Sequence, residues 1–161
     1  KPTDHLIEIG TGWGGMAIYA AENYGCKVTT TTISREQLEY ARAEVEKRGL
    51  QDKITLLFED YRDLSGQFDK LVSIEMIEAV GHEYFDTYFN CVSNLLKPDG
   101  KAVIHAITIN KQRYADYRKS VDFIKRYIFP DGCLPSLNVI RGPLTRRTDI
   151  QIIDLRDIAL D

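Results

Sequence analysis

The amino-acid sequence predicts an α/β fold with a mostly parallel β-sheet and helices on both of its faces. Two observations indicate this class. Segments with the composition of buried strands alternate with segments of helical spacing through the first 110 residues. A run of glycines also separates the first strand-like segment from the first helix-like segment, as in folds that bind a ligand at that turn. Parallel strands need crossover helices, so the alternation implies βαβ units.

The first strand and the first helix are predicted on either side of these glycines. Residues 5–9 form a short apolar run that ends at a glycine, as buried strands do. Residues 14–24 place small and apolar side chains at helical spacing, and Gly25 stands where a C-cap glycine ends a helix. Residues 27–32 are rich in β-branched side chains and predict the second strand.

The second helix carries its own start signal. Ser34 is a predicted N-cap, and Gln37 three residues later completes a capping box. The helix is predicted to continue to Arg48 and to end at Gly49.

Three more strands complete the predicted sheet. Residues 54–59 and the mainly apolar residues 68–74 predict the third and fourth strands. Residues 83–96 predict a helix, which the sequence Lys-Pro-Asp-Gly at 97–100 ends in a turn. Residues 101–109 predict a long fifth strand.

The pattern changes after residue 110. Residues 112–128 are amphipathic and dense in Tyr, Arg and Lys, and residues 129–135 are rich in turn-forming residues. Residues 150–155 predict a further strand.

Composition and charge agree with one globular domain. The sequence has 161 residues, of which 43% are hydrophobic and 28% are charged. The formal net charge of -3 provides no overall basic field that would attract nucleic acid. The 3 cysteines are widely spaced and form no CxxC pair, so we expect a reducing, cytoplasmic location and neither a metal site nor a disulfide framework. No apolar stretch approaches the roughly 20 residues that span a bilayer.

The glycine-rich segment after the first strand predicts a cofactor site. Gly10, Gly12 and Gly15 match the GxGxxG spacing of dinucleotide-binding turns, and Gly14 lies in the same turn. Glu8 precedes the first glycine, and a carboxylate there suits a cationic ligand better than a pyrophosphate. S-adenosylmethionine carries a sulfonium and an ammonium group and fits this description. The alternative is a turn whose glycines serve the backbone alone.

Polar residues after the second and third strands are predicted cofactor contacts. Dinucleotide-binding folds usually place an acidic residue at the end of the second strand to bind ribose. This chain has Thr32 there and Gln37 in the helix that follows, and both can bind hydroxyl groups or simply cap the helix. Asp60 is placed to accept a hydrogen bond from the adenine amino group and Tyr61 to stack on the purine, unless their segment is a solvated loop.

Acidic and histidine residues follow the fourth and fifth strands. Glu75 and Glu78 lie in a mainly apolar stretch, where two carboxylates are costly without partners. Both are candidates for function, and Glu75 is a predicted cofactor contact. His105 lies towards the end of the fifth strand and faces the same crevice at the carboxyl ends of the strands. The alternatives are two glutamates that turn into solvent and a histidine that belongs to the core.

Four stretches of the sequence resemble a known family. They are residues 8–15, 32–37, 74–83 and 117–135, and the last two are more specific than the glycine motif. Over essentially its whole length, the chain resembles the catalytic domain of cyclopropane-fatty-acyl-phospholipid synthases and the related mycolic acid cyclopropane synthases. The resemblance implies a Rossmann-like fold of the class I S-adenosylmethionine-dependent methyltransferases.

The resemblance also implies a reaction on lipid. The methylene carbon of S-adenosylmethionine passes to a cis double bond of an unsaturated phospholipid acyl chain, and a cyclopropane ring forms through a carbocation that a bound bicarbonate ion deprotonates. Such a substrate implies a cytoplasmic enzyme in peripheral contact with the inner face of the membrane. The alternatives are a related methyltransferase that acts on a small-molecule amine, one that methylates an acyl chain without ring closure, and a binding module that keeps only the fold.

Individual residues match the functional positions of that family. Glu78 and His105 match its bicarbonate ligands, and Ile107 matches the position whose backbone contributes to the same site. The matched cofactor contacts are Gly10, Gly12, Thr32, Gln37 and Tyr61. The family also uses a cysteine and a tyrosine from flanking segments that this sequence does not include. We therefore expect the chain to belong to a longer protein and to be inactive alone.

The resemblance divides the single domain, residues 1–161, into two parts. Residues 1–110 form a cofactor-binding half, and residues 111–161 form an insertion that covers the acyl substrate. Phe123, Tyr127 and Phe129 are predicted to line the acyl pocket. Basic side chains between positions 118 and 126 are predicted to attract anionic headgroups, and a surface helix with a solvated polar face is the alternative.

Overall fold

The fold is a five-stranded parallel β-sheet with helices packed against it. The structure, a computed structural model, describes residues 1–120, 126–127 and 132–158. The strands are β1 (His5–Ile9), β2 (Lys27–Thr31), β3 (Ile54–Leu57), β4 (Phe68–Ile74) and β5 (Leu96–His105). The described α-helices are α1 (Gly15–Tyr24), α2 (Arg35–Lys47), α3 (Phe85–Leu95), α4 (Lys111–Lys119) and α5 (Leu137–Arg147). Short 3-10 helices span Tyr61–Asp63, Ile77–Ala79 and His82–Tyr84.

The strand order places a crevice at the middle of the sheet. The order is β3-β2-β1-β4-β5, and every pair of neighbours is parallel. From β1, strands β2 and β3 extend the sheet on one side, and strands β4 and β5 extend it on the other side. In such sheets, ligands bind outside the carboxyl ends of the strands where the order reverses. The predicted α/β class with a parallel sheet is confirmed.

Two apolar cores lie on opposite faces of the sheet. Leu6 of β1 packs with buried residues of α1, α2 and β2, including Ala17 and Val45. Ile7 and Ile9 of the same strand pack with β4, α3 and α5. Successive side chains of a strand point to opposite faces, so this division of β1 follows from its sequence. It also confirms the prediction of helices on both faces.

The helix ends follow their predicted capping signals in most respects. Gly25 adopts a left-handed conformation (φ 68°) and ends α1, and the Ser34 side chain accepts a hydrogen bond from the backbone N–H of Gln37 at the start of α2. The second half of the predicted capping box is wrong. The Gln37 side chain instead accepts a hydrogen bond from Thr32 Oγ1 at 2.9 Å, and Thr32 Oγ1 accepts one from the Ser34 N–H.

Several predicted elements need correction. The fifth strand, predicted to reach residue 109, ends at His105. The turn predicted at 97–100 is a bulge within β5, because the pairing passes from Phe68 with Leu96 directly to Lys70 with Lys101. The amphipathic helix predicted at 112–128 ends at Lys119, since Ser120 adopts an extended conformation. The strand predicted at 150–155 is wrong, because residues 151–158 are irregular and exposed and pair with no described strand.

Among the described helices, none has the length and apolar character needed to cross a membrane.

Candidate functional site

The glycine loop, residues 10–14, follows β1 and is hydrogen-bonded to the carboxyl end of β2. Gly10, Gly12 and Gly14 all have positive φ angles, of 98°, 51° and 87°, which glycine adopts without steric cost. The N–H groups of Gly10 and Thr11 both donate to Thr31 O, at 3.1 and 2.9 Å. These bonds fix the start of the loop to the carboxyl end of β2.

The loop glycines serve different purposes. A Cβ atom added to Gly12 would meet nothing within 4 Å, so the backbone there is open to close approach by a ligand. A Cβ added to Gly14 would lie 3.1 Å from the Ala41 Cβ, so this glycine allows α1 and α2 to pack together. The sequence motif does not separate these two roles.

Glu8 lies beneath the glycine loop. It was expected to form an acidic rim, but only 3% of the residue is exposed. Its carboxylate accepts a hydrogen bond from Thr30 Oγ1 at 2.7 Å, and that hydroxyl lies 2.7 Å from Thr11 Oγ1. Burial raises the pKa of Glu8 to about 7, and the Thr30 hydrogen bond only partly opposes this. Near neutral pH the carboxyl group is thus close to its titration midpoint.

Apolar side chains at the carboxyl ends of β1, β2 and β3 were missed by the sequence reasoning. Ile33 is the second residue after β2 and is 73% exposed, next to Thr32, whose side chain pairs with Gln37. Trp13 and Phe58 are also exposed, and a cation–π contact joins Phe58 to Arg35. Large apolar groups at this edge can cover the flat face of a ligand ring. Their position within one to four residues of a strand end was the available signal.

The two residues predicted to hold adenine already have protein partners. Both carboxylate oxygens of Asp60 accept hydrogen bonds from the Arg62 guanidinium, at 2.8 and 2.7 Å, which lowers the pKa of Asp60. Tyr61 packs edge-on against Tyr88 with 5.7 Å between ring centroids and is half-buried. A carboxylate has room for further donors, so Asp60 can still accept one from a ligand.

The carboxyl ends of β4 and β5 bring four predicted residues together. Glu78 lies on the 3-10 helix that follows β4, and its Oε1 accepts a hydrogen bond of 2.5 Å from the Ile107 N–H. His105 is the last residue of β5 and pairs with Ile74 across the sheet. Glu75 precedes Glu78 in the chain, and its carboxylate lies 3.7 Å from His105 Nδ1.

Glu75 has an unusual backbone conformation. Its φ of 49° is the only positive value at a non-glycine residue in the part of the chain that the structure describes. The left-handed conformation costs a residue with a side chain about 1–2 kcal/mol. The Glu75 N–H donates to His105 O at 3.0 Å, which holds this conformation at the end of the sheet. Such strain often marks functional sites.

Unpartnered polar atoms concentrate in the same region. In residues 1–120, 126–127 and 132–158, the buried side-chain atoms without a well-formed hydrogen bond are Ser73 Oγ, Glu78 Oε2, Tyr88 Oη and His105 Nδ1. Ser73 and His105 belong to β4 and β5, Glu78 follows β4, and Tyr88 lies on α3, which packs against both strands. Ser73 and Tyr88 are fully buried and interact with each other. Buried polar groups are normally satisfied, so Glu78 Oε2 and His105 Nδ1 are the two of these atoms that a polar ligand can satisfy.

The other predicted residues are only partly covered by the structure. Tyr127 is 62% exposed and packs against the guanidinium of Arg126. Phe123 and Phe129 lie outside the described residues. The acyl-pocket assignment of these three residues stays a prediction.

A charged depression at the opposite edge of the sheet lacks the character of a ligand site. Its volume is about 520 Å³, and Asp69, Lys70 and Lys97 contribute to its walls. Lys97 Nζ pairs with Asp69 at 2.7 Å, and Lys70 Nζ donates to the Asp69 carbonyl. The charged groups of this depression therefore satisfy one another.

Comparison with known proteins shows the family to which the chain belongs. The family model for mycolic acid cyclopropane synthetase matches residues 1–161. The chain is 45% identical over 141 residues to the cyclopropane-fatty-acyl-phospholipid synthase of Escherichia coli, covering 87% of this chain and 35% of that protein. It is 40% identical over 150 residues to a tuberculostearic acid methyltransferase of Mycobacterium tuberculosis, covering 93% and 35%. The chain therefore spans about a third of the length of these relatives.

Solved structures show the same fold. A mycolic acid cyclopropane synthase crystallised with SAH and CTAB superposes with a TM-score of 0.80 at 28% identity, over 90% of this chain and 54% of that chain. A geranyl diphosphate methyltransferase in complex with SAM superposes with a TM-score of 0.75 at 21% identity, over 91% and 58%. The Rossmann-like fold of class I S-adenosylmethionine-dependent methyltransferases is confirmed.

Proposed function

Since the chain belongs to the mycolic acid cyclopropane synthetase family, we propose that the whole protein converts a cis double bond of an unsaturated phospholipid acyl chain into a cyclopropane ring. The one-carbon unit comes from S-adenosylmethionine. The observation that carries the proposal is the placement of Glu78 and His105 at the carboxyl ends of β4 and β5, where Glu78 Oε2 and His105 Nδ1 are buried without a hydrogen bond. The E. coli relative is named a cyclopropane-fatty-acyl-phospholipid synthase.

The residues of the crevice fit S-adenosylmethionine. When bound, this cofactor supplies an electrophilic methyl group, and the alkene that accepts it becomes a carbocation that must lose a proton before the ring closes. Gly12 leaves its backbone open to the ligand. Thr32 and Gln37 offer hydroxyl and amide groups for ribose. The ionised form of Glu8 would attract a cation from beneath the glycine loop.

The paired groups after β4 and β5 fit a small anion such as bicarbonate, which would accept that proton when bound. A protonated His105 can donate from Nδ1 to the anion, and Glu78 Oε2 can accept the hydrogen that bicarbonate carries. The Ile107 N–H was expected to contribute as well, but it donates to Glu78 Oε1. Glu78 would therefore share this donor with the anion.

A second candidate function differs only in the last step. The relative at 40% identity is named a tuberculostearic acid methyltransferase. On this alternative, the protein methylates the acyl chain without closing a ring. Methylation of a small-molecule amine is a further possibility on the same fold.

We also propose peripheral contact with the inner face of the membrane, because the substrate is a phospholipid. Arg118 and Lys119 at the end of α4 are exposed, as is Arg126. Basic groups near a membrane contribute about 1 kcal/mol each to attraction by anionic lipids.

The test uses the whole protein with S-adenosylmethionine and vesicles of a cis-unsaturated phospholipid. Mass spectrometry of the released fatty acids should show the gain of one CH₂, and the product should resist mild hydrogenation because it has no double bond. A product that takes up hydrogen would favour methylation without ring closure. Product from an added amine, and none from lipid, would refute the lipid assignment.

Glu78→Gln should slow turnover by about a hundredfold or more, because its carboxyl group holds the proton acceptor. The affinity for S-adenosylmethionine, measured by calorimetry, should change little. Glu39→Gln on the exposed face of α2 is the matched control. If both variants turn over at the wild-type rate, the assignment of Glu78 is wrong.

A further inference from the structure

A second polar cluster lies beside the segment that carries Glu78. His82 Nδ1 is 2.5 Å from the Tyr114 hydroxyl, and that hydroxyl is 3.7 Å from Cys133 Sγ. Tyr114 and Cys133 are buried. The three side chains come from three places in the chain: the segment after β4, helix α4, and the segment before α5. Neither the glycine loop nor the unpartnered atoms near His105 belong to this cluster.

The cluster holds the Glu78 segment at both of its ends. The Cys133 N–H donates to Glu78 O at 2.7 Å. His82, four residues further along, is held by the Tyr114 hydroxyl. Both attachments come from beyond residue 110, so the second half of the chain fixes the backbone that presents the Glu78 carboxylate.

The same stretch is also tied to the end of β5. The Pro135 carbonyl accepts a hydrogen bond from the Ile109 N–H at 2.9 Å, and the Leu134 N–H donates to the Tyr117 hydroxyl at 3.4 Å. Ile109 is two residues from Ile107, whose N–H holds the Glu78 carboxylate itself. Segment 132–136 therefore connects the backbone of Glu78 with the strand end that its side chain contacts.

The His82–Tyr114 pair is uncharged at neutral pH. Burial lowers the pKa of His82, the Arg118 guanidinium lowers it further, and Glu83 opposes them only partly. Burial also raises the pKa of Tyr114, and the neighbouring Cys133 adds to this. Such a hydrogen bond fixes geometry without placing a charge near the reaction.

We propose that Tyr114 and His82 are positioning residues for Glu78. The Tyr114 hydroxyl keeps the segment from Glu78 to His82 in place, so that the carboxylate stays aimed at the region beside His105. The inference rests on the proposed role of Glu78. A misplacement of about 1 Å can cost a hundredfold in rate, so loss of this contact should affect turnover more than binding.

The test is Tyr114→Phe in the whole protein, which removes the hydroxyl and keeps the buried ring. We expect kcat to fall about tenfold or more while the affinity for S-adenosylmethionine stays within about twofold. His82→Leu should have a similar effect. His82→Asn, whose side-chain amide can replace the ring nitrogen, should retain kcat within about threefold of the wild type. Tyr24→Phe, at an exposed tyrosine of α1, is the control.

A double-mutant cycle separates positioning from general support of the fold. If Tyr114 acts through Glu78, then Tyr114→Phe should change kcat by less than about twofold in a Glu78→Gln background. An undiminished loss of kcat in that background would overturn the inference. If Glu78→Gln slows turnover but Tyr114→Phe does not, the positioning role alone is refuted. If Glu78→Gln does not change kcat, the proposed role of Glu78 itself is refuted, and the positioning role that rests on it is refuted too.

Discussion

Replacing Glu8 with glutamine is expected to stabilise the protein at alkaline pH and to leave its stability near pH 4.5 unchanged. Burial under the glycine loop raises the pKa of this carboxyl group from 4.5 to about 7. The unfolded chain loses the proton near the lower value, and the folded chain keeps it up to the higher one. Between them the folded state binds more protons, so the free energy of unfolding falls as pH rises.

The magnitude follows from the two pKa values. The difference corresponds to about 3 kcal/mol, which the wild type loses between about pH 5 and 7 and does not regain above that range. A glutamine at position 8 carries no titrating proton there. Its amide oxygen can still accept the hydrogen bond from Thr30 Oγ1, which the carboxylate accepts at 2.7 Å. The variant should thus match the wild type near pH 4.5 and exceed it by up to about 3 kcal/mol at pH 8.

Urea denaturation followed by circular dichroism at pH 5, 6, 7 and 8 measures this difference directly. Glu39→Gln on the exposed face of α2 removes the same charge from a solvated position and should show a constant difference across that range. If the free energy of unfolding of Glu8→Gln instead changes with pH as that of the wild type does, or is lower than that of the wild type at pH 8, burial does not control the pKa of Glu8. The reasoning would then be refuted.

A ligand measurement extends the same test. A cation above the loop favours the ionised form of Glu8, so S-adenosylmethionine should bind the wild type more tightly as pH rises through 7. The Glu8→Gln variant should lack this dependence. If calorimetry shows the same pH dependence of S-adenosylmethionine affinity for the wild type and the variant, the bound cation does not lie near Glu8.

Two further predictions concern the backbone of the site. Glu75→Gly should be more stable to urea than Glu75→Ala by about 1 kcal/mol, because only glycine adopts the φ of 49° without strain. Equal stabilities of the two variants would show that the backbone at position 75 relaxes to a negative φ. Gly14→Ala should destabilise the protein by about 2 kcal/mol, since its φ is 87° and its Cβ would lie 3.1 Å from that of Ala41. Gly15→Ala, which meets no atom within 4 Å, should have no such cost, and equal losses in thermal melts would contradict the packing argument.

Local sequence was sufficient to predict most of the sheet. The ranges of β1 and β4 agree with prediction to the residue, because each is a mainly apolar run with clear polar or glycine boundaries. The bulge at 97–100 could not be predicted, since it depends on which residue of β4 lies opposite. The apolar residues at 150–155 have strand composition but no described partner strand, and composition alone does not supply one.

The candidate site was predictable in outline and not in detail. Glu78 and His105 could be placed together because the carboxyl ends of adjacent parallel strands meet at one edge. The hydrogen bond from the Ile107 N–H to Glu78 depends on the path of the irregular segment after β5, which no local sequence pattern specifies. The left-handed conformation of Glu75 could not be predicted either, because glutamate is not a residue type that favours positive φ.

The two cores on either side of the sheet support different parts of the candidate site. Ala17 and Val45 support the glycine loop from one face, whereas Ile77, next to Glu78, belongs to the opposite core with Phe85 and Leu144. Under the proposed function, substitutions in the first core would alter how the glycine loop is held, and those in the second would alter how Glu78 is presented. Tyr61 also packs against the second core, so that face contributes to both tasks.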